Sequence, residues 1–206
     1  MTDMIAIIDY GMGNIHSVKK ALESFKAKTV IADNASALLD CDKAILPGVG
    51  AFDDAILTMD KNGLTTAISD FIKSNRPFLG ICLGMQILFE KSQEAKKTKG
   101  LGILKGGVVR FLGKKGFKIP QMGWNQLNIT APDCPLLKGI QDKSFVYFCH
   151  SYYPAPAQKS VSAATTDYAA KFASVVWEKN VYGVQFHPEK SQKTGLNMIE
   201  NFINLC

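Results

Sequence analysis

The chain has 206 residues, of which 47% are hydrophobic and 20% charged, which suits one domain over residues 1–206 with a substantial core. Its net charge of +6 comes from lysines that are scattered or in short groups such as Lys96, Lys97 and Lys99. A basic face for an acidic protein partner therefore fits better than a nucleic-acid surface. The five cysteines form no Cys-x-x-Cys pair, which points to reduced thiols in a cytoplasmic protein and away from a metal site or a disulfide framework. No apolar run reaches membrane-spanning length, and residues 1–4 are expected to lead straight into a strand with no secretory leader.

Residues 4–8 form a β-branched-rich run, the pattern of a strand buried on both faces. A glycine turn at 9–14 follows, then a helical stretch with Val18, Ala21, Leu22 and Phe25 on one face. Strand, glycine turn and helix could cradle a phosphate. The third glycine of the dinucleotide fingerprint is missing, so a plain βα turn is the better reading. Residues 29–32 and 44–46 read as the second and third strands. The third ends at Pro47-Gly48-Val49-Gly50, where two glycines let the backbone approach a ligand with its N–H groups outward. Helices are predicted over 51–60, through Phe52, Ile56 and Met59, and over 64–74, through Leu64, Ala67, Ile68, Phe71 and Ile72.

The next strand, at 77–81, runs into Gly80-Ile81-Cys82-Leu83-Gly84, and a helical pattern starts at once. This is the cysteine form of a nucleophile elbow: a buried strand turns sharply into a helix, and the reactive side chain stands at the apex. Glycines at 80 and 84 keep strand and helix from colliding. A structural cysteine in a glycine-rich turn is the alternative for this stretch alone. Strand and helix alternate as far as Phe89, which implies a mostly parallel, doubly wound central sheet with flanking helices. The site should then lie at the carboxyl ends of the strands, where Cys82 and the Gly48–Gly50 loop fall.

After a polar surface loop at 92–102 the pattern becomes β-rich, with short segments at 108–111, 118–120, 124–129, 144–149 and 174–184. Trp124, after Met122-Gly123, is either core or an exposed interface anchor. Residues 147–153, Tyr-Phe-Cys-His-Ser-Tyr-Tyr, either hold a small polar ligand or form an aromatic core strand around a satisfied His150. His187 and Glu189 follow the last strand two residues apart, so along an extended backbone they point the same way. A His oriented by a carboxylate is the base half of a nucleophilic triad. The last helix carries Leu196, Ile199, Phe202 and Ile203.

Together these residues describe acyl transfer without metal or cofactor. His187 takes the Cys82 proton, and thiolate attacks a carbonyl. The N–H of Leu83, with Val49 or Gly50, holds the oxyanion, and His187 protonates the leaving amine before water clears the thioester.

Gly-Ile-Cys-Leu-Gly-Met-Gln at 80–86 and His-Pro-Glu at 187–189 resemble the triad (class I) glutamine amidotransferases. Pro-Gly-Val-Gly at 47–50, Gln-Met-Gly-Trp-Asn at 121–125 and His-Pro-Glu-Lys-Ser at 187–191 narrow the resemblance to one branch. The resemblance spans nearly the whole chain and implies an α/β fold of that family with a β-rich second half. It implies glutamine as substrate, with Cys82 as nucleophile, His187 as base and acid, and Glu189 as the orienting carboxylate. It further implies that Gly48, Gly50, Gln86, Ser151 and Tyr152 contact glutamine and that Glu94 holds its α-ammonium. In that branch the subunit forms a heterodimer with a (βα)8-barrel cyclase, to which ammonia passes through a channel. Trp124, Tyr147 and Lys190 match positions at that interface. A related glutaminase serving another acceptor, a non-catalytic subunit of the same fold, and a free-standing thiol hydrolase remain as alternatives.

Overall fold

A computed structural model describes residues 3–206; Met1 and Thr2, which precede the first expected strand, lie outside the described residues. The first part alternates strand and helix: β1 (Met4–Ile8), α1 (Ile15–Glu23), β2 (Lys28–Ala32), α2 (Ala35–Leu39), β3 (Lys43–Gly48), α3 (Phe52–Lys61), α4 (Leu64–Lys73), β4 (Phe78–Cys82) and the short α5 (Leu83–Ile87). Strands then dominate: β5 (Phe89–Ser92), β6 (Leu104–Arg110), β7 (Gln121–Gln126), β8 (Asn128–Ile129), β9 (Phe145–His150), β10 (Tyr152–Pro156), β11 (Ser162–Asp167), β12 (Lys171–Glu178) and β13 (Val181–Val184). The closing helix is α6 (Gln192–Leu205).

An eight-stranded sheet runs in the order β2-β1-β3-β4-β13-β12-β11-β8. The first five strands are mutually parallel, and β12, β11 and β8 extend the sheet antiparallel. Alternate residues of each parallel strand face opposite sides, so each strand feeds two cores. On one side Ala6, Ile8, Ala44 and Leu46 pack with Phe52, Ile56 and Met59 of α3 and with Leu64, Ile68 and Phe71 of α4. On the other Ile5, Ile7, Ile45, Leu79 and Ile81 pack with Val18 and Leu22 of α1 and with Met198, Ile199 and Phe202 of α6. The apolar stripes expected of α3 and α4 lie against the sheet, as do Val18, Ala21 and Leu22 of α1, while Phe25 lies past the end of that helix and is half-buried; on α6 the stripe shifts, with Met198 buried while Leu196 and Ile203 are only half-buried.

A three-stranded sheet, β10-β6-β5, and a two-stranded ribbon, β7-β9, lie beyond the main sheet. In the ribbon Trp124 stands opposite Tyr147, and Gln121 opposite His150. Four local expectations are corrected, the first being the segment at 174–184, which is two strands, β12 and β13, joined by a turn at 179–180. Residues 118–120 belong to no strand; the expected segment at 124–129 instead begins at Gln121 and breaks after Gln126. The helical pattern after Cys82 gives only five helical residues before the chain turns extended at Phe89. Phe89 and Leu104 are both buried here, and their pairing draws the chain into the second sheet.

Candidate active site

β4 is buried along its length and ends on Cys82, whose backbone turns to φ 54° and ψ −109° as α5 begins. A residue with a side chain holds a left-handed φ at a cost on the order of 1–3 kcal/mol. Packing on both sides imposes it. A Cβ on Gly80 would stand 2.7 Å from Gly84 O and Met85 N, and one on Gly84 would run into the Leu46 carbonyl of β3. Strand, helix and neighbouring strand thus meet backbone to backbone, with Cys82 at the apex. Its side chain borders a cleft of about 460 Å3. Leu83, the first helical residue after it, lines the same cleft. Its N–H is one of those a helix leaves without an intrahelical partner.

β13 lies parallel to β4 with Val184 beside Ile81, so the residues after β13 arrive next to Cys82. The turn they form is pinned by Ser191, which is buried. Ser191 Oγ donates to His187 O (2.6 Å) and accepts from Tyr147 N–H (2.9 Å), while His187 N–H donates to Tyr147 O (3.0 Å). The His187 ring lines the same cleft as the Cys82 side chain. Its Nδ1 lies 3.0 Å from Glu189 Oε1, with both side chains buried. Burial pulls the imidazole down, but the neighbouring Cys82 and the Glu189 carboxylate outweigh that and raise it to about 10. His187 therefore carries its proton at neutral pH, with Nδ1–H donating to the carboxylate and Nε2 left for the sulfur.

Val49, Gly50, Gln86, Glu94, Ser151 and Tyr152 line the cleft with Cys82, Leu83 and His187. Tyr147 and Lys190 line it as well. Gly48 lies beneath the lining: a Cβ there would stand 2.7 Å from Tyr10 Oη and 2.9 Å from Gly84 N, and this close seat brings Val49 and Gly50 to the rim. Glu189 stands behind His187, outside the lining. Trp124 packs edge-on against Tyr147 with ring centroids 6.0 Å apart and remains 46% exposed.

Glu94 reaches the cleft from the polar loop after β5. Its carboxylate accepts from Phe52 N–H (3.1 Å), and burial raises its proton affinity, opposed by that bond. Asp53 anchors the same loop: it accepts from Lys96 N–H (2.8 Å), Thr98 N–H (3.0 Å) and Thr98 Oγ (2.8 Å), which hold its carboxyl down at about 2. His150 is a satisfied interior histidine. Burial lowers it to about 4, against the upward pull of Tyr152 O, to which Nδ1–H donates at 2.8 Å. Its other ring nitrogen, Nε2, lies 3.1 Å from Gln121 Oε1. The 147–153 stretch supplies cleft lining and an aromatic core around His150.

Sequence reasoning missed Gln185, Asp53 and Tyr10. Gln185 is fully buried, and its amide touches Cys82 Sγ. Tyr10 is buried beside Cys82, whose charge adds to burial in raising the phenol. Gln185 had a legible signal: it precedes His187 by two, so along an extended strand the two point the same way, whereas Glu189 reaches Nδ1 from a 3-10 turn over Pro188–Lys190 that replaces the extended backbone expected there. Asp53 and Tyr10 act through contacts distant in sequence.

The arrangement suits attack by sulfur on a small amide or ester. It offers a nucleophile on a rigid turn, a protonated imidazole beside it to serve the leaving group, and a carboxylate fixing that imidazole. Glu94 gives the cleft a negative end, which favours a cationic substrate group.

The family model described as Glutamine amidotransferase class-I matches residues 6–205. The chain is 46% identical over 205 residues to the imidazole glycerol phosphate synthase subunit HisH 1 of Methanococcus maripaludis, covering 98% of this chain and all of that one. It is 50% identical over 199 residues to the imidazole glycerol phosphate synthase subunit HisH of Caldanaerobacter subterraneus subsp. tengcongensis, covering 97% of each. The structure of PurLQS from Thermotoga maritima, at 19% identity, superposes with a TM-score of 0.78 over 99% of each chain, a likeness of fold.

Proposed function

The chain belongs to the class-I glutamine amidotransferase family, and from that membership we propose that it works as the glutaminase subunit of an imidazole glycerol phosphate synthase in histidine biosynthesis. Glutamine lies in the cleft with its α-ammonium toward Glu94 and its side-chain amide over Cys82. The Cys82 sulfur attacks the amide carbon. The oxyanion accepts from Leu83 N–H and from the Val49–Gly50 segment. Protonated His187 donates to the departing nitrogen, the C–N bond breaks, and ammonia leaves with a thioester on Cys82. Neutral His187 then takes a proton from water, hydroxide adds to the thioester, and sulfur departs with glutamate released. Glu189 keeps Nδ1 as the donor side throughout. Gln86, Ser151 and Tyr152 complete the substrate's surroundings.

The ammonia passes to a partner subunit, which we identify as a (βα)8-barrel cyclase making imidazole glycerol phosphate and an aminoimidazole carboxamide ribotide. Met122 and Trp124 of the ribbon and Lys190 form the docking surface around the cleft mouth. The observation that carries the reading is the strained Cys82 sharing one cleft with a His187 that Glu189 orients. Cys82→Ala should abolish glutamate formation while the folded chain still binds the cyclase. Glutamine turnover persisting in that variant would remove Cys82 from the mechanism.

A further inference from the structure

A backbone carbonyl and two side chains outside the triad form a directed chain that ends on the reacting sulfur. Tyr152 O accepts from Gln86 Nε2 at 2.9 Å, and a backbone carbonyl can only accept, so the Gln86 nitrogen is fixed on that side. The second N–H of the same nitrogen reaches Gln185 Oε1 at 3.1 Å. That bond in turn fixes the Gln185 amide with Nε2 on its far side, and there it meets Cys82 Sγ at 3.7 Å. No other orientation of the two amides satisfies all three contacts. Gln185 is 0% exposed and Gln86 4%, so water offers neither a substitute partner. Gln185 N–H donates to Ser174 O at 3.0 Å, which continues the strand pairing past Val184 and seats the side chain against the elbow.

The sulfur has two other neighbours. Cys149 O lies 3.9 Å away and accepts from a thiol, and His187 lines the same cleft. Gln185 is therefore a neutral side-chain donor to sulfur that keeps its proton through the whole reaction, whereas His187 gives its proton up to the leaving nitrogen.

We propose that Gln185 is a further catalytic residue of this site: its amide N–H holds the Cys82 sulfur in the attacking orientation, and the chain through Gln86 ties that orientation to the substrate cleft. The proposal deepens the glutaminase reading and rests on it for the substrate's identity. Gln86 spends both N–H groups on Tyr152 and Gln185, which leaves its Oε1 to accept from the substrate. A donor arriving there polarises the amide chain and strengthens the bond to sulfur. Sulfur alignment and substrate occupancy then reinforce each other.

The test compares wild type with Gln185→Met, which keeps side-chain volume and removes both polar groups. Gln185→Asn repeats it with polarity kept and the amide one methylene too short to span Gln86 and Sγ. Urea midpoints confirm that the variants fold. Two readouts follow: the rate of Cys82 alkylation by iodoacetamide, and kcat and KM for glutamine in the complex with the barrel cyclase. Alkylation should slow about tenfold, the size expected for a lost hydrogen bond to a charged atom. kcat should fall at least as much, with KM within about twofold. A residue that only shaped the pocket would raise KM and leave alkylation untouched. Either folded variant alkylating at the wild-type rate would overturn the proposal. Alkylation needs no glutamine, so a wild-type chain that releases no glutamate would sink the glutaminase reading while this comparison still decided the role of Gln185.

Discussion

Glu189 and His150 show how one kind of burial serves two ends. Glu189 sits behind His187 and holds a proton on it; His150, enclosed by Phe111, Phe148 and Phe172, is kept neutral. Replacing Glu189 by Gln keeps shape and removes the charge that sets the His187 tautomer. Turnover should fall by up to about 10^4-fold with little change in the unfolding midpoint. Wild-type kcat in that variant would strip Glu189 of its role. His150 makes a prediction about stability. Its native value of about 4 lies below the ordinary 6.5, so between those pH values the unfolded chain binds the extra proton. Stability should therefore be intact above pH 6.5 and fall as pH drops toward 4, by up to ~3 kcal/mol from this group. Urea titrations of wild type and His150→Gln at pH 7 and pH 4.5 would show it: the acid loss should shrink in the variant. An equal loss in both would place the acid sensitivity elsewhere.

Among the elements, the elbow and the polar loop after β5 set the site's precision. Gly84→Ala would force α5 away from the Leu46 carbonyl and should cost about 1–3 kcal/mol, with a larger fall in turnover, because Cys82 moves with the helix. A calorimetric melt unchanged by the substitution would mean that the close approach is dispensable. Asp53→Ala frees residues 96–98 and so loosens Glu94, which the same loop carries into the cleft. KM for glutamine should rise roughly three- to tenfold with kcat near wild type; a fall in kcat at unchanged KM would contradict this. The elbow was legible because its parts are adjacent in sequence: Gly80, Cys82 and Gly84 carry the geometry within one turn. His187 and Glu189 were legible for the same reason. Other elements were hidden by composition or length. β10 carries two prolines in five residues, β11 is mostly Ala and Thr, and α2 spans five residues, too few for a helical period to declare itself. Asp53 serves backbone groups more than forty residues away, a pairing that only the fold creates.

At the scale of the whole molecule, the parallel strands β3, β4 and β13 deliver the glycine loop, the nucleophile and the His187 turn to one end of the sheet. The β7-β9 ribbon stands over that end and is bonded to the His187 turn through Tyr147 and Ser191. It presents Met122 at 64% exposure beside Trp124, so a partner docked there would press on a segment tied to the His187 turn. Trp124→Ala should weaken binding of the barrel cyclase by about 30-fold, or ~2 kcal/mol, as expected for an aromatic anchor. Titration calorimetry returning the wild-type affinity would move the interface off the ribbon. The most direct test of the account measures glutamate formed from glutamine by the purified chain alone, with the barrel cyclase, and with the cyclase plus its nucleotide ligand. A low rate alone and a large rise in the full mixture is the predicted result. A full rate from the chain alone, or no glutamate in any mixture, would contradict it.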